Sequence, residues 1–318
     1  MILAIIYIQI QNPIFLSWSS IINIVTLSAA NIPIALGIAG CIVLTGTDLS
    51  AGRIVGLTAC IAASITQPLA YANKMFPNLQ PISIPLVLLL VVIVGGLIGG
   101  VNGFSVAKFK LHPFIVTLAT QLIVYGALLI YLNLGSGNGQ AISGMGDYYK
   151  DFIKGSFISV RGIPIPNLVW YSIIMIIVMW VVWNKTTFGK NMFAVGSNQE
   201  AAAVSGVNVD RTIMLVFILA GVMYAYTGFV EAARIGSNSA QTGLNYELDA
   251  IAACVIGGVS FVGGIGRISG VIIGVVLLRL IFVGLTVLSI DPNLQYIIKG
   301  LIILIACAVD MRKYLVRK

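Results

Sequence analysis

The sequence predicts an all-α, polytopic membrane protein of about ten transmembrane helices, forming one transmembrane domain over residues 1–318. Three observations carry that prediction. Of the 318 residues, 59% are hydrophobic and only 9% are charged, against about 25% charged in soluble domains. Apolar runs recur at close to the about 20 residues a membrane crossing requires. The 34 glycines are too many for an ordinary soluble bundle and suit closely packed transmembrane helices.

Ten apolar runs follow in order: 1–10, 20–45, 53–72, 84–107, 113–133, 165–184, 212–232, 250–265, 268–288 and 294–310. The runs at 1–10 and 250–265 are short, which leaves a re-entrant path open for each. Met1 leads into "ILAIIYIQI" with no basic n-region and no small-residue cleavage site, unlike a signal peptide. That run reads as the outer part of a first helix whose cytoplasmic start is missing or very short.

The connectors set the orientation, because basic loops stay on the cytoplasmic side. "KFKLH" (108–112) is basic, and the 185–211 loop carries Lys185, Lys190 and Arg211. The C-terminal tail carries Arg312, Lys313, Arg317 and Lys318. The 134–164 loop is long, glycine-containing and of mixed charge, which suits the periplasmic side. With ten crossings both termini are cytoplasmic in the inner membrane, and the 45–53 turn lies inside. This distribution accounts for the net charge of +8 without a nucleic-acid partner.

Two glycine stripes at i, i+4, i+8 mark close helix contacts: Gly95, Gly99, Gly103 and Gly266, Gly270, Gly274. Cys41, Cys60, Cys254 and Cys307 lie in apolar runs without CxxC spacing and read as small buried side chains. No phosphate-binding G-x-x-x-x-G-K-[ST] occurs, so the chain cannot use ATP by itself. "GSGNGQ" (135–140) follows a hydrophobic span rather than a strand and reads as a flexible extracellular loop. The only histidine, His112, stands beside Pro113 at the start of a span, which excludes a histidine metal cluster or triad. The scarcity of carboxylates disfavours an enzyme, and it leaves an ion-coupled secondary transporter few groups to work with.

Ionisable groups in or beside spans are functional candidates. "TGTDLSAGR" (45–53) places Asp48 and Ser50 in a glycine-broken stretch. Two readings stand there: an interrupted helix lining protein or water, and a cytoplasmic turn whose Asp48 and Ser50 cap the next helix. Glu231 and Arg234 are spaced to pair. Glu247 and Asp249 suit a helix N-terminus. Arg279 is the intramembrane polar candidate, because the middle of a span requires it to face the bundle interior or snorkel. Lys299, nearer an interface, is expected to snorkel.

"GSNQEAAAVSGVNVD" (196–210) predicts a short helix over 198–205. Ser197 and Glu200 fit a capping box, Ala201, Ala202 and Ala203 favour helix, and Gly206 can terminate it. A helix this short is marginal alone, so it should dock, and its small side chains suit a groove on a partner.

"FGKNMFAVGSNQEAAAVSGVNV" (188–209) resembles the cytoplasmic loop of ABC-importer permeases for monosaccharides, the ribose/galactose/arabinose group. "GTDLSAGR" (46–53), "GGVNGFSVAKFKLHPFIVTLAT" (99–120), "LDAIAACVIGGVSFVGGIGR" (248–267) and "DPNLQYIIKG" (291–300) resemble further blocks in the same order. The resemblance implies a type II-like permease fold and galactose or a methyl-galactoside as cargo, with ribose or arabinose as the alternative. It implies a second copy of this chain, a double-length ATPase that uses ATP and Mg, and a periplasmic sugar-binding protein. No cofactor is implied for this chain. The 185–211 loop then carries a coupling helix, with Ser197, Asn198, Glu200, Ala201, Ala202, Ala203 and Gly206 facing the ATPase. Asp48, Ser50, Asn102 and Thr117 are candidates for the passage, and the 134–164 loop for the outer gate. Relatives have a polar stretch before their first span and many have asparagine ahead of the glycine matching Gly284, where this chain has Phe282 and Val283.

Overall fold

The computed structural model describes residues 2–315. Met1, Arg317, Lys318 and the Lys313 side chain lie outside what it describes. The described residues form thirteen α-helices. They are α1 (Ile2–Gln11), α2 (Trp18–Val43), α3 (Ala51–Ile65), α4 (Ile84–Phe109), α5 (Pro113–Leu132), α6 (Asp147–Lys154), α7 (Asn167–Lys185), α8 (Thr187–Ser197), α9 (Gln199–Val204), α10 (Val209–Ile235), α11 (Tyr246–Ile256), α12 (Ile268–Val287) and α13 (Pro292–Leu315).

Local sequence explains where these helices start and stop. Ser17 accepts from the Ser20 N–H at 3.3 Å, Thr186 from Gly189 at 3.2 Å and Asn208 from Arg211 at 2.9 Å, so each caps its helix. His112 does the same for α5, accepting from Phe114 at 3.3 Å, with Pro113 at the first helical position. Gly236, with φ of 83°, closes α10 in the left-handed conformation.

Among the described residues, seven helices are long and apolar enough to cross a membrane: α2, α4, α5, α7, α10, α12 and α13. The other three expected spans fall on shorter helices, α1, α3 and α11. The 53–72 run is helical only to Ile65. Beyond it Thr66 and Gln67 turn their side chains back to Ala62 and across to Ser143, and Pro68 disfavours helix in the residue before it. The 250–265 run stops at Ile256, where Gly257 and Gly258 follow and Gly258 has φ of 82°.

Helices α2 and α10 form the centre. Most of their apolar windows are buried, 67% and 72%, whereas none of the window of α13 is. Helix α10 packs on α4, α3 and α2. The expected stripe of Gly95, Gly99 and Gly103 forms the α4–α10 seam. A Cβ on Gly95 would lie 2.3 Å from the Gly221 carbonyl oxygen, and one on Gly99 would lie 2.2 Å from that of Phe217. The second stripe is shorter than expected, because Gly266 precedes α12; Gly270 of that helix meets Gly257, just past the end of α11, and Gly274 meets Ala253 within α11.

Residues 135–140 are turns without helix or strand, whereas the rest of the 134–164 connector carries regular structure. Strand β1 (Ile142–Ser143) pairs antiparallel with β4 (Ser237–Asn238), and β2 (Ser156–Val160) forms a hairpin with β3 (Ile163–Pro166). Helix α6 fixes this layer to the bundle through Tyr149, which is fully buried and donates from its hydroxyl to the Phe229 carbonyl. Cys41, Cys60 and Cys254 are buried and Cys307 is half-buried, all as free thiols.

Candidate functional site

Three polar features stand out. The first is the 186–208 end. The short helix expected over 198–205 is present as α9, and a further helix, α8, precedes it with a break at Asn198. Asn198, not Ser197, caps α9, accepting from the Ala201 N–H at 2.9 Å. Ser197 ends α8 instead and donates its hydroxyl to the Phe193 carbonyl at 2.9 Å, so the capping box does not form. Gly206 ends α9 as expected, with φ of 85°. Val207 N–H donates to Ala202 O and Gly206 N–H to Ala203 O, the six-to-one and five-to-two pattern of a glycine-terminated helix.

Ala202 is the one buried residue of α9 and roots it in the protein. Ser197, Asn198, Glu200, Ala201, Ala203 and Gly206 are exposed. Val204 is 90% exposed. Sequence reasoning passed it over because a lone valine in an alanine run carries no periodic signal. The base of α9 is clamped. Gly264 N–H donates to the Val43 carbonyl at 2.9 Å, and Gly263 lies against Thr45 and Gly196. Lys108 and Lys110 pair with Asp210 at 3.2 Å and 2.6 Å, tying the α4–α5 turn to the start of α10. A cavity of about 280 Å³ opens here between Thr45, His112 and Gln199.

The second feature is the break between α2 and α3. Thr45 sits at φ of 62°, a costly conformation for a β-branched residue, and the chain then runs non-helical to Ser50. All four predicted pathway residues meet here and none is exposed: Asp48, Ser50, Asn102 and Thr117. Asp48 Oδ1 accepts from the Ser50 N–H at 2.9 Å and from the Ser50 hydroxyl at 2.6 Å. Asn102 Nδ2 donates to Ser50 Oγ at 3.0 Å, and Thr120 donates to Asn102 Oδ1 at 2.6 Å. Thr117 Oγ1 accepts from the Leu49 N–H at 3.1 Å and donates to Thr47 O at 3.2 Å. Hence Ser50 does not cap α3 with its side chain; it joins the unwound segment to α4 directly and, through Asn102, to α5. Thr120 was missed, although it lies one turn beyond Thr117 on the same face of α5.

The third feature surrounds Arg279, which faces the interior as its depth requires. Its Nη2 donates to Asn31 Oδ1 of α2 at 2.7 Å and lies 3.5 Å from Asp249 Oδ2. Lys299 does not snorkel. Its Nζ turns inward and pairs with Asp249 Oδ1 at 2.6 Å, with the Lys299 side chain 17% exposed. Asp249 therefore does more than complement the dipole of α11. The expected Glu231–Arg234 pair is present, bidentate at 2.8 Å and 2.6 Å, and Tyr246 donates to the same carboxylate at 3.3 Å. Glu247 lies beside Gly52, at the start of α3.

Residues 20–307 match the family model described as branched-chain amino acid transport system, permease component. The galactose/methyl galactoside import permease protein of Escherichia coli is 47% identical over 97% of this chain and 91% of its own length. The protein of the same name from Haemophilus influenzae is 46% identical over the same shares. The ribose import permease protein of Bacillus subtilis is 35% identical over 97% of this chain and 90% of its own. No solved structure matches. A match across nearly the whole chain, on a bundle of long apolar helices, makes this protein a member of the branched-chain amino acid transport system permease family.

Proposed function

We propose that this chain moves galactose or a methyl galactoside inward as the permease subunit of an ATP-driven importer. The observation that carries this is the 47% identity, over 97% of the chain, to a galactose/methyl galactoside import permease. Ribose permeases stand at lower identity. The chain is a transport subunit and not an enzyme. ATP and Mg belong to a separate ATPase chain, which we take to be double-length, and a periplasmic binding protein delivers the sugar. Two copies of this chain flank the passage.

In this reading the three shorter helices α1, α3 and α11 complete ten crossings, and both termini are cytoplasmic. The exposed face of α9 seats in the ATPase. The structured layer at 134–166 receives the binding protein. The broken segments near Asp48 and Asn102 line the passage when the bundle opens, since non-helical backbone at membrane depth belongs against protein or water.

The test is reconstitution. With its ATPase and binding protein in liposomes, the chain should take up labelled galactose only when ATP is supplied. Uptake by the chain alone, driven by an ion gradient, would overturn the importer reading in favour of a secondary transporter. Ribose or arabinose outcompeting galactose would reassign the sugar.

A further inference from the structure

We infer that the cleft between α12 and α13 is a monosaccharide subsite within the membrane protein itself, formed by Asp249, Arg279, Gln295 and Lys299 with the ring of Tyr296. This rests on the sugar-importer reading above and gives it a place in the bundle. Three ionisable side chains from α11, α12 and α13 converge here, 11–18% exposed. Charge at this depth is costly and belongs in the interior or at a water-filled cavity. The cluster does not close on itself. It opens into a cavity of about 200 Å³ lined by Asp249, Arg279, Phe282, Gln295, Tyr296 and Lys299. That is below the about 300–1,000 Å³ of pockets for drug-sized ligands, and it suits a single sugar ring.

The hydrogen-bonding capacity is unspent. Among the described residues, only Nη2 of the Arg279 guanidinium donates hydrogen bonds, out of five available N–H donors. Gln295 uses its Nε2 on the Ile290 carbonyl at 3.1 Å, leaving its oxygen as an acceptor. Sugar hydroxyls both donate and accept, so a site that offers cationic donors beside carboxylate and amide acceptors matches them. The Lys299 Nζ lies 5.2 Å from the Phe282 ring centre and 5.6 Å from that of Tyr296, which sets both rings along the same wall. Tyr296 is 58% exposed and offers an apolar face with a polar tip. Arg279 holds on to Asn31 in α2, so the cleft lies at the level of the bundle centre, where cargo must pass.

The experiment is equilibrium binding of labelled galactose to the purified full chain in nanodiscs, beside ATP-driven uptake by the reconstituted complex. The wild-type chain should bind galactose saturably. Arg279→Gln and Tyr296→Ala should each weaken binding about tenfold or more, the scale of one charge-assisted hydrogen bond or a lost stacking ring. Tyr296→Ala alters an exposed ring and leaves the ion cluster intact, so it still reads the site if Arg279→Gln fails to fold. No saturable galactose binding by the wild type, unchanged binding in Tyr296→Ala, or displacement of galactose by inorganic phosphate would overturn the subsite. Each of those results can stand beside normal ATP-driven uptake, so the importer reading falls only if uptake itself fails.

Discussion

Gly196 lies so close to Val43 that a Cβ on it would stand 1.9 Å from the Val43 carbonyl oxygen. That oxygen also accepts from Gly264. The last turn of α8, the end of α2 and the α11–α12 loop therefore share one point of contact. Gly196→Ala forces that point apart, and overpacking of this kind costs about 1–3 kcal/mol. The purified variant should unfold at lower temperature than wild type. An unchanged melting curve would mean that the contact yields freely.

Val204 offers the sharpest probe of the exposed face of α9. At 90% exposure, Val204→Asp removes no packing within the chain. We expect normal extraction and melting but loss of ATP-driven uptake, because under the proposed docking of α9 a charge would enter the ATPase groove. Full uptake in the variant would show that this face docks on nothing.

Asn102 joins Ser50 to Thr120. Asn102→Leu keeps the volume but strands the Thr120 hydroxyl, at a cost of about 1–3 kcal/mol for a buried unsatisfied group. Adding Thr120→Val should recover part of that loss, since residues in one network do not add independently. The check is thermal melting of both single variants and the double. Strict additivity would remove the proposed bond between them.

Among the described residues, Asp249 is the one carboxylate paired with both Arg279 and Lys299. Asp249→Ala leaves two mostly buried cations facing each other, and breaking a buried pair costs roughly 3–5 kcal/mol. Yield of folded protein should fall sharply. Converting Arg279 to Met in the same chain should restore part of it, and failure of that rescue would argue against mutual repulsion as the cause.

Sequence periodicity found the long helices because lipid demands long apolar runs, and Gly95, Gly99 and Gly103 named their own seam. The end of α9 was equally legible, since Gly206 takes the one conformation that favours glycine there. Its start was not. Ser197 and Asn198 are both good caps, and only the turn of chain after α8 decides between them. Asp48 and Ser50 were legible together as one glycine-broken stretch, but no local pattern ties Asn102 and Thr117 to it, and only folding brings the four together. Lys299 was misjudged because its partner, Asp249, lies fifty residues away in sequence. Long-range pairing of charges leaves no local pattern. The short helices α3 and α11 were drawn too long for a related reason. An apolar run such as 250–265 shows what lipid or core will accept, but Gly257 and Gly258 decide where the helix stops.

The α4–α10 seam brings main chain against main chain, with no side chain between Gly95 and Gly221 to act as a spring. The two helices amount to a single spar, 26 and 27 residues long. A load applied at one end of it arrives at the other with little give along the way. Any large displacement in this protein must then be taken up at its joints, the unwound stretches 44–50, 236–245 and 257–267, and those joints are where locking crosslinks should arrest it.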